Sequence, residues 1–333
     1  MIKIRIGGIV KNRHIKMKVL TSFFWKLMER GGTQGIQFIV QIILARLLAP
    51  KEFGAIAIVM VFINLAQVFV QSGFNTALIQ KKDADKVDFS SIFYLSLGVA
   101  GVLYFIIFIS APYIANYYDD PILVPVLRVL SIILFTGAFN SIQNAYISRN
   151  LMFKKLFTSS LGAILISGVL GIVTAYKGLG IWALVIQQIS NQISITVIMW
   201  FTVKWRPSLA FSLRKVKVLF SYSWKLLVSS LLNVFYLDLR TLIIGKVYTP
   251  SVLGYYNRGQ QFPKVIVNNI DGSIQSVMLP TLSAYQDNRK KVKAMMRRAI
   301  VTSSFFIFPM MIGMAVIAEP LVSLVLTDKW LPS

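Results

Sequence analysis

Cysteine is absent from the 333 residues, and histidine occurs once, at His14 in a basic leader. Without thiols there is neither a disulfide framework nor a thiolate metal site, and without further imidazoles metal centres and nucleophile–base triads are poorly supplied. No cofactor and no metal are expected. Acid is scarce as well: 12 Asp and Glu stand against 35 Lys and Arg, a formal charge of +23. A basic chain can bind nucleic acid, but these cations fall in short clusters between long apolar runs, the pattern of membrane topology, so nucleic acid is excluded as a partner.

What is abundant is apolar surface. Fifty-six per cent of the residues are hydrophobic and 14% charged, with a mean hydropathy of +0.68, too apolar for a soluble domain with one buried core. A membrane span needs roughly 20 mostly apolar residues. About nine segments qualify: 20–48, 54–80, 89–115, 122–147, 156–176, 180–203, 222–247, 254–283 and 299–326. The connections are short, so function must sit among the helices. The fold class is an all-α polytopic membrane protein surrounded by membrane lipid.

The loop cations set the orientation. One side carries the leader Met1–Lys18, Lys81, Lys82 and Lys86, then Arg149, Lys154 and Lys155, the stretch 204–221, and six cations between Arg289 and Arg298. The opposite loops hold Lys51, Lys177 and Lys329, giving 23 against three. Alternation never breaks, which predicts a cytoplasmic N-terminus. The leader lacks a small-residue cleavage site and reads as a retained cytoplasmic arm.

An internal repeat organises the spans. Trp25, Lys26 and Leu27 recur as Trp224, Lys225 and Leu226; Pro50 and Gly54 recur as Pro250 and Gly254. Ala111 and Pro112, followed by bulky residues to Asp119 and Asp120, resemble Glu319 and Pro320 with the run to Asp328. The offset grows from 199 to 208. Six spans separate the repeat starts, so the copies are parallel. The expected organisation is an arm at 1–18, a six-helix lobe at 19–203, a basic linker at 204–221 and a partial second lobe at 222–333, three helices of six. The sequence therefore reads as truncated, or as a protein whose second lobe is half built.

Ionisable groups in a bilayer are costly and tend to face a bundle interior or a wet cavity. Lys26, Arg30, Gln34, Gln37 and Gln41 are spaced 4, 4, 3, 4, which confines them to one helical face. Asn64, Gln67, Gln71 and Asn75 form a second stripe, and Lys225, Ser229, Asn233, Tyr236 and Arg240 a third. A fourth carries Asn257, Gln261, Lys264, Asn268, Asp271 and Gln275. A lone Gln is more often glue between helices, at about 0.6 kcal/mol. Four aligned stripes with several cations favour a shared water-filled cavity. Arg30, Arg240, Arg258 and Lys264 are its strongest cations, Lys26 and Lys225 weaker ones. Their sign attracts anions, and charge-assisted hydrogen bonds suit phosphate. Glu29 either pairs with Lys26 or Arg30 or carries a coupling proton.

Several stretches carry a resemblance: Gln41–Pro50 (QIILARLLAP) with Phe53 and Gly54, Gly73–Gln80 (GFNTALIQ), Gln143–Lys154 (QNAYISRNLMFK), Gly180–Gln188 (GIWALVIQQ), Trp205–Pro207 and Leu253–Arg258 (LGYYNR). In order and spacing the chain resembles the polysaccharide exporter family of oligosaccharide-lipid flippases, closest to its colanic-acid and lipopolysaccharide exporter branch. The resemblance implies two six-helix lobes around a central cavity. It also implies movement of a polyprenyl-pyrophosphate-linked oligosaccharide across the bacterial inner membrane by alternating access, for surface polysaccharide synthesis. On that reading Arg30, Arg240, Arg258, Lys264, Lys26 and Lys225 hold the pyrophosphate. Gln34, Gln37, Gln41, Asn64, Gln67, Gln71, Asn75, Asn233, Asn268 and Gln275 meet sugar hydroxyls, with Glu29 and Asp271 as candidate coupling residues. Partners would be the lipid-linked substrate, a polysaccharide polymerase and a chain-length regulator. Relative to the family the last three helices are missing. The competing readings are a multidrug or organic-ion antiporter of the same fold, which would want carboxylates in the cavity, and a non-transporting scaffold of the assembly machinery. A membrane enzyme would call for a sizeable acidic or His-bearing loop, and none is present.

Overall fold

The computed structural model describes residues 2–71, 73–81, 83–267, 270, 278 and 289–333, with the side chains of 2–20, 22, 23, 27, 30 and 222 outside that description. Helices account for nearly all of it, and no strand occurs among the described residues. They are α1 (Ile2–Leu47), α2 (Pro50–Gln71), α3 (Phe74–Gln80), α4 (Lys86–Tyr118), α5 (Leu123–Leu130), α6 (Ile133–Arg149), α7 (Phe153–Tyr176), α8 (Ile181–Thr202), α9 (Leu213–Val247), α10 (Pro250–Gly259), α11 (Arg289–Val316) and α12 (Ala318–Val325). A 3-10 turn follows at Asp328–Trp330.

Among the described residues seven helical stretches are long and apolar enough to cross a membrane. Two of the nine expected spans are not among them. The 20–48 segment lies in α1, whose glutamines and charges dilute its apolar content, and helix runs on from the leader without a break. The segment 254–283 begins in α10 and passes into residues outside the description.

Several expected spans are broken, each for a local reason. Gly73 takes φ 76°, a left-handed value that ends α2 and starts α3. The 122–147 span divides at Ser131–Ile132 into α5 and α6, with the Ser131 hydroxyl donating to the Arg128 carbonyl. Pro263 has no N–H for the Gly259 carbonyl four residues back, and α10 ends there before helix resumes over 261–267. Pro320 likewise has no N–H for the Val316 carbonyl four residues back, and α11 gives way to α12 there.

Packing follows small residues. The methylenes of Gln187 lie over Gly171 of α7, and Val40 of α1 over Gly168. Close approach through glycine is how helices associate where lipid removes the hydrophobic drive between them. The outward faces of α4 (Phe105, Ile109) and α7 (Leu165, Val169) are exposed and apolar, as a hydrocarbon solvent requires. Between α8 and α9 the chain is tied down on α4: Trp205 stacks near Phe89 and Phe93, and the Ser212 amide donates to Ser91 Oγ at 2.9 Å. Asp85, the N-cap of α4, pairs with Lys215 at the start of α9.

The two repeat segments meet at one end of the bundle. α2 and α10 cross so closely that a Cβ on Gly54 would fall 1.7 Å from the Pro250 carbonyl oxygen, and one on Gly254 would fall 2.0 Å from that of Pro50. Cations close the same end. Arg46 donates to the carbonyls of Leu324 (2.6 Å) and Val325 (2.8 Å), and Lys246 donates to that of Tyr117 (2.6 Å). Lys329 donates to the carbonyls of Arg46 and Leu48 at 2.7 and 2.8 Å. Trp330, fully buried, donates from Nε1 to Ala45 and packs against Phe53 and Tyr255.

Candidate substrate cavity

The polar residues anticipated from the sequence do not all line one space. The α2 stripe faces α9: Asn64, Gln67 and Gln71 line a cleft of about 340 Å³ with Val234, Leu237 and Asp238. Asn64 Nδ2 donates to Asp238 Oδ2 at 3.4 Å, and the charge of Lys264 acts on the same carboxylate. Gln67 fits over Gly137, where no Cβ stands in its way, donates to the Ile133 carbonyl at 2.9 Å and accepts from Gln71. The stripe stops at Gln71. Asn75, expected to continue it, belongs to α3 beyond the Gly73 break, and among the described residues its buried Oδ1 has no hydrogen-bond partner.

On α9 the expected stripe is not the face that meets α2. Lys225, Asn233, Tyr236 and Arg240 are exposed, while Val234, Leu237 and Asp238 form the wall of the cleft. The reason is periodicity: Asp238 is two residues from Arg240, so the two side chains diverge by about 200° around the helix. Arg240 lies beside the hydroxyls of Tyr236 and Tyr256. Asp238 is the cleft residue that the sequence reading left unassigned, although an acid inside a span was the signal for it.

The α1 stripe divides. Glu29, Gln34 and Gln37 line a second pocket, also about 340 Å³, between α1, α7 and α8, with Ser160 of α7 and Gln187, Gln188 and Asn191 of α8. Lys26 Nζ pairs with Glu29 at 2.7 Å. Farther along, Gln41 turns toward α10 and accepts from Arg258 Nη2 at 2.6 Å. Arg258 is 6% exposed; its Nη1 donates to Gln261 and its guanidinium lies 3.9 Å from the Phe53 ring. It therefore bridges helices and does not open onto the cleft. Arg30 has its side chain outside the described residues, and Asn268, Asp271 and Gln275 lie wholly outside them. Among the described residues no cluster of His, Cys, Asp and Glu could hold a metal ion.

A lipid-facing bundle of long helices, with polar clefts inside it and salt bridges at its rims, defines a multi-pass helical membrane protein. The fold is that of the MATE transporters. A solved inward-facing conformation of a multidrug resistance MATE family transporter of the MOP superfamily superposes with a TM-score of 0.66 at 18% identity, covering 88% of this chain and 72% of that one. The chain belongs to the polysaccharide biosynthesis protein family, which it matches over residues 43–333. It is 23% identical over 311 residues to the succinoglycan biosynthesis transport protein ExoT of Rhizobium meliloti, covering 92% of this chain and 62% of that one. It is 24% identical over 323 residues to the lipopolysaccharide biosynthesis protein WzxC of Escherichia coli (95% and 65%). With the teichuronic acid biosynthesis protein TuaB of Bacillus subtilis it shares 25% over 268 residues (80% and 56%). The chain thus spans less than two thirds of the length of these relatives.

Proposed function

We propose that this chain supplies the first lobe and part of the second of an exporter that moves a polyprenyl-pyrophosphate-linked oligosaccharide across the bacterial inner membrane, with its N-terminus in the cytoplasm. One observation carries the reading: a polar cleft between α2 and α9, where the two repeat copies face each other, sits inside a helical bundle of a polysaccharide biosynthesis family member. The relatives' names, a succinoglycan transport protein among them, support the same reading. Arg240, Lys264 and Lys225, exposed on the second copy, are the cations offered to the pyrophosphate; Arg258 positions α10 against α1. Asn64, Gln67 and Gln71 meet sugar hydroxyls. The first lobe spans 19–203 and the linker 204–221. A polymerase and a chain-length regulator are the proposed partners, and no bond is made or broken by this chain.

Deleting the gene should cause lipid-linked repeat units to build up on the cytoplasmic side and surface polysaccharide to fall, both restored by complementation. Normal surface polymer without build-up in the deletion strain overturns the proposal. A second reading, an antiporter for organic cations, is favoured by Asp238 in the cleft. It predicts cation resistance that Asp238→Asn removes.

A further inference from the structure

The pocket lined by α1, α7 and α8 is separate from the cleft between the repeat copies, and its chemistry differs. Gln187 is the central observation. It is 1% exposed, and its Oε1 has no hydrogen-bond partner among the described residues, although the residue lines the pocket. A buried carbonyl without a donor is costly, so this acceptor is suited to a ligand hydroxyl or amide. Its direction is imposed by packing: Gly171 beneath it has no Cβ, and a Cβ there would come within 2.8 Å of the Gln187 Cβ. Asn191, one turn on, is oriented by donating to Ser167 Oγ at 3.1 Å. The walls that matter are preset by the fold.

Charge narrows the ligand. Among the described residues the lining has one carboxylate, Glu29, which is matched by Lys26 at 2.7 Å, and Lys26 itself does not line the pocket. Among the described residues the lining is therefore balanced, which favours neither an anion nor a free cation. Gln34, Gln37, Gln187, Gln188 and Asn191 each bring both a donor and an acceptor, the pairing that sugar hydroxyls also bring. Size narrows it further. A volume of about 340 Å³ is room for about ten waters at roughly 30 Å³ each, far more than a bare ion occupies. It falls at the lower end of small-molecule sites.

We infer that this pocket is a subsite for one neutral sugar ring, set off from the cations that meet the phosphates, and that it selects among oligosaccharides by their hydroxyl pattern. The inference rests on the proposed export of a lipid-linked oligosaccharide. The test uses the full chain purified in detergent and titrated with methyl glycosides of neutral hexoses and N-acetylhexosamines, and with methyl glucuronide, read by saturation-transfer NMR. At least one neutral glycoside should bind saturably, at least tenfold more tightly than the glucuronide. Gln187→Met, which keeps the volume, and Gln34→Ala, at an exposed position, should each weaken it at least fivefold, while Leu209→Ala, at an exposed position between α8 and α9, leaves it unchanged. Absence of saturable binding by every neutral glycoside overturns the subsite. So does binding that survives both pocket substitutions, or a sodium or proton titration that responds to Gln187→Met while no glycoside binds. In cells the two readings separate: if deletion blocks export but Gln187→Met and Gln34→Ala export normally, the subsite fails and the exporter stands.

Discussion

Gly54 and Gly254 lie at matching places in the two repeat segments, each against the carbonyl oxygen of the other's helix-initial proline: 1.7 Å from Pro250 for a Cβ on Gly54, and 2.0 Å from Pro50 for one on Gly254. Both obstacles are backbone atoms, which cannot swing aside as a side chain would. Gly54→Ala or Gly254→Ala should thus force α2 and α10 apart and cost about 3 kcal/mol each, the upper range for overpacking. A thermal melt in detergent checks this; two alanine variants as stable as the parent would refute the crossing.

Arg46 and Lys246, also 200 positions apart, each hold the end of a helix from the other repeat copy. A cation at a helix C-terminus meets carbonyls without intrahelical partners and the negative end of the macrodipole. Lys246 is 39% exposed, so solvent screening reduces its share. Each alanine substitution should cost about 1 kcal/mol. The two losses should add in the double variant, because the contacts share no partner. Unfolding midpoints of the single and double variants measure both claims.

Arg258 and Arg240 should separate stability from transport. Arg258→Lys loses the planar fork that reaches Gln41 and Gln261 together, leaving half-buried carboxamides short of a donor, at a cost of about 2 kcal/mol. Arg240→Glu, at an exposed site, should leave the melting temperature within about 1 °C, since surface substitutions usually change stability little. If Arg240 meets pyrophosphate, the same variant abolishes export, assayed as accumulated lipid-linked repeat units.

The Asp85–Lys215 pair, between the start of α4 and the start of α9, gives a pH signature. Hydrogen bonding from Lys215, then from the Asp88 amide, lowers the Asp85 carboxyl to about 2. The folded value is depressed, so its stabilisation is complete above about pH 4. It fades as pH falls toward about 2. The same hydrogen bond raises the Lys215 ammonium above its ordinary value, so its contribution is complete at neutral pH and is lost only in strong alkali. Asp85→Asn should flatten the stability profile between pH 4 and 2 and leave the neutral region's slope unchanged. Hydrogen exchange at the first turn of α4 across that range is the measurement.

Membrane residence, seven of the spans, the basic loop pattern and the Pro–Gly repeat were all legible in the sequence, because a bilayer imposes composition and length on each segment by itself. The polar faces were legible too, since periodicity alone puts Gln34 with Gln37 and Asn64 with Gln67 on one side of a helix. Tertiary structure decided what those faces meet. Periodicity does not say that α1 presents Gln34 to α8 but Gln41 to Arg258, or that α9 turns Asp238 to the cleft and leaves Arg240 exposed. Those assignments depend on how helices cross at Gly54, Gly168 and Gly171, and on breaks at Gly73 and before Pro263. The crossings are contacts between residues of different helices, and only the folded packing brings those together.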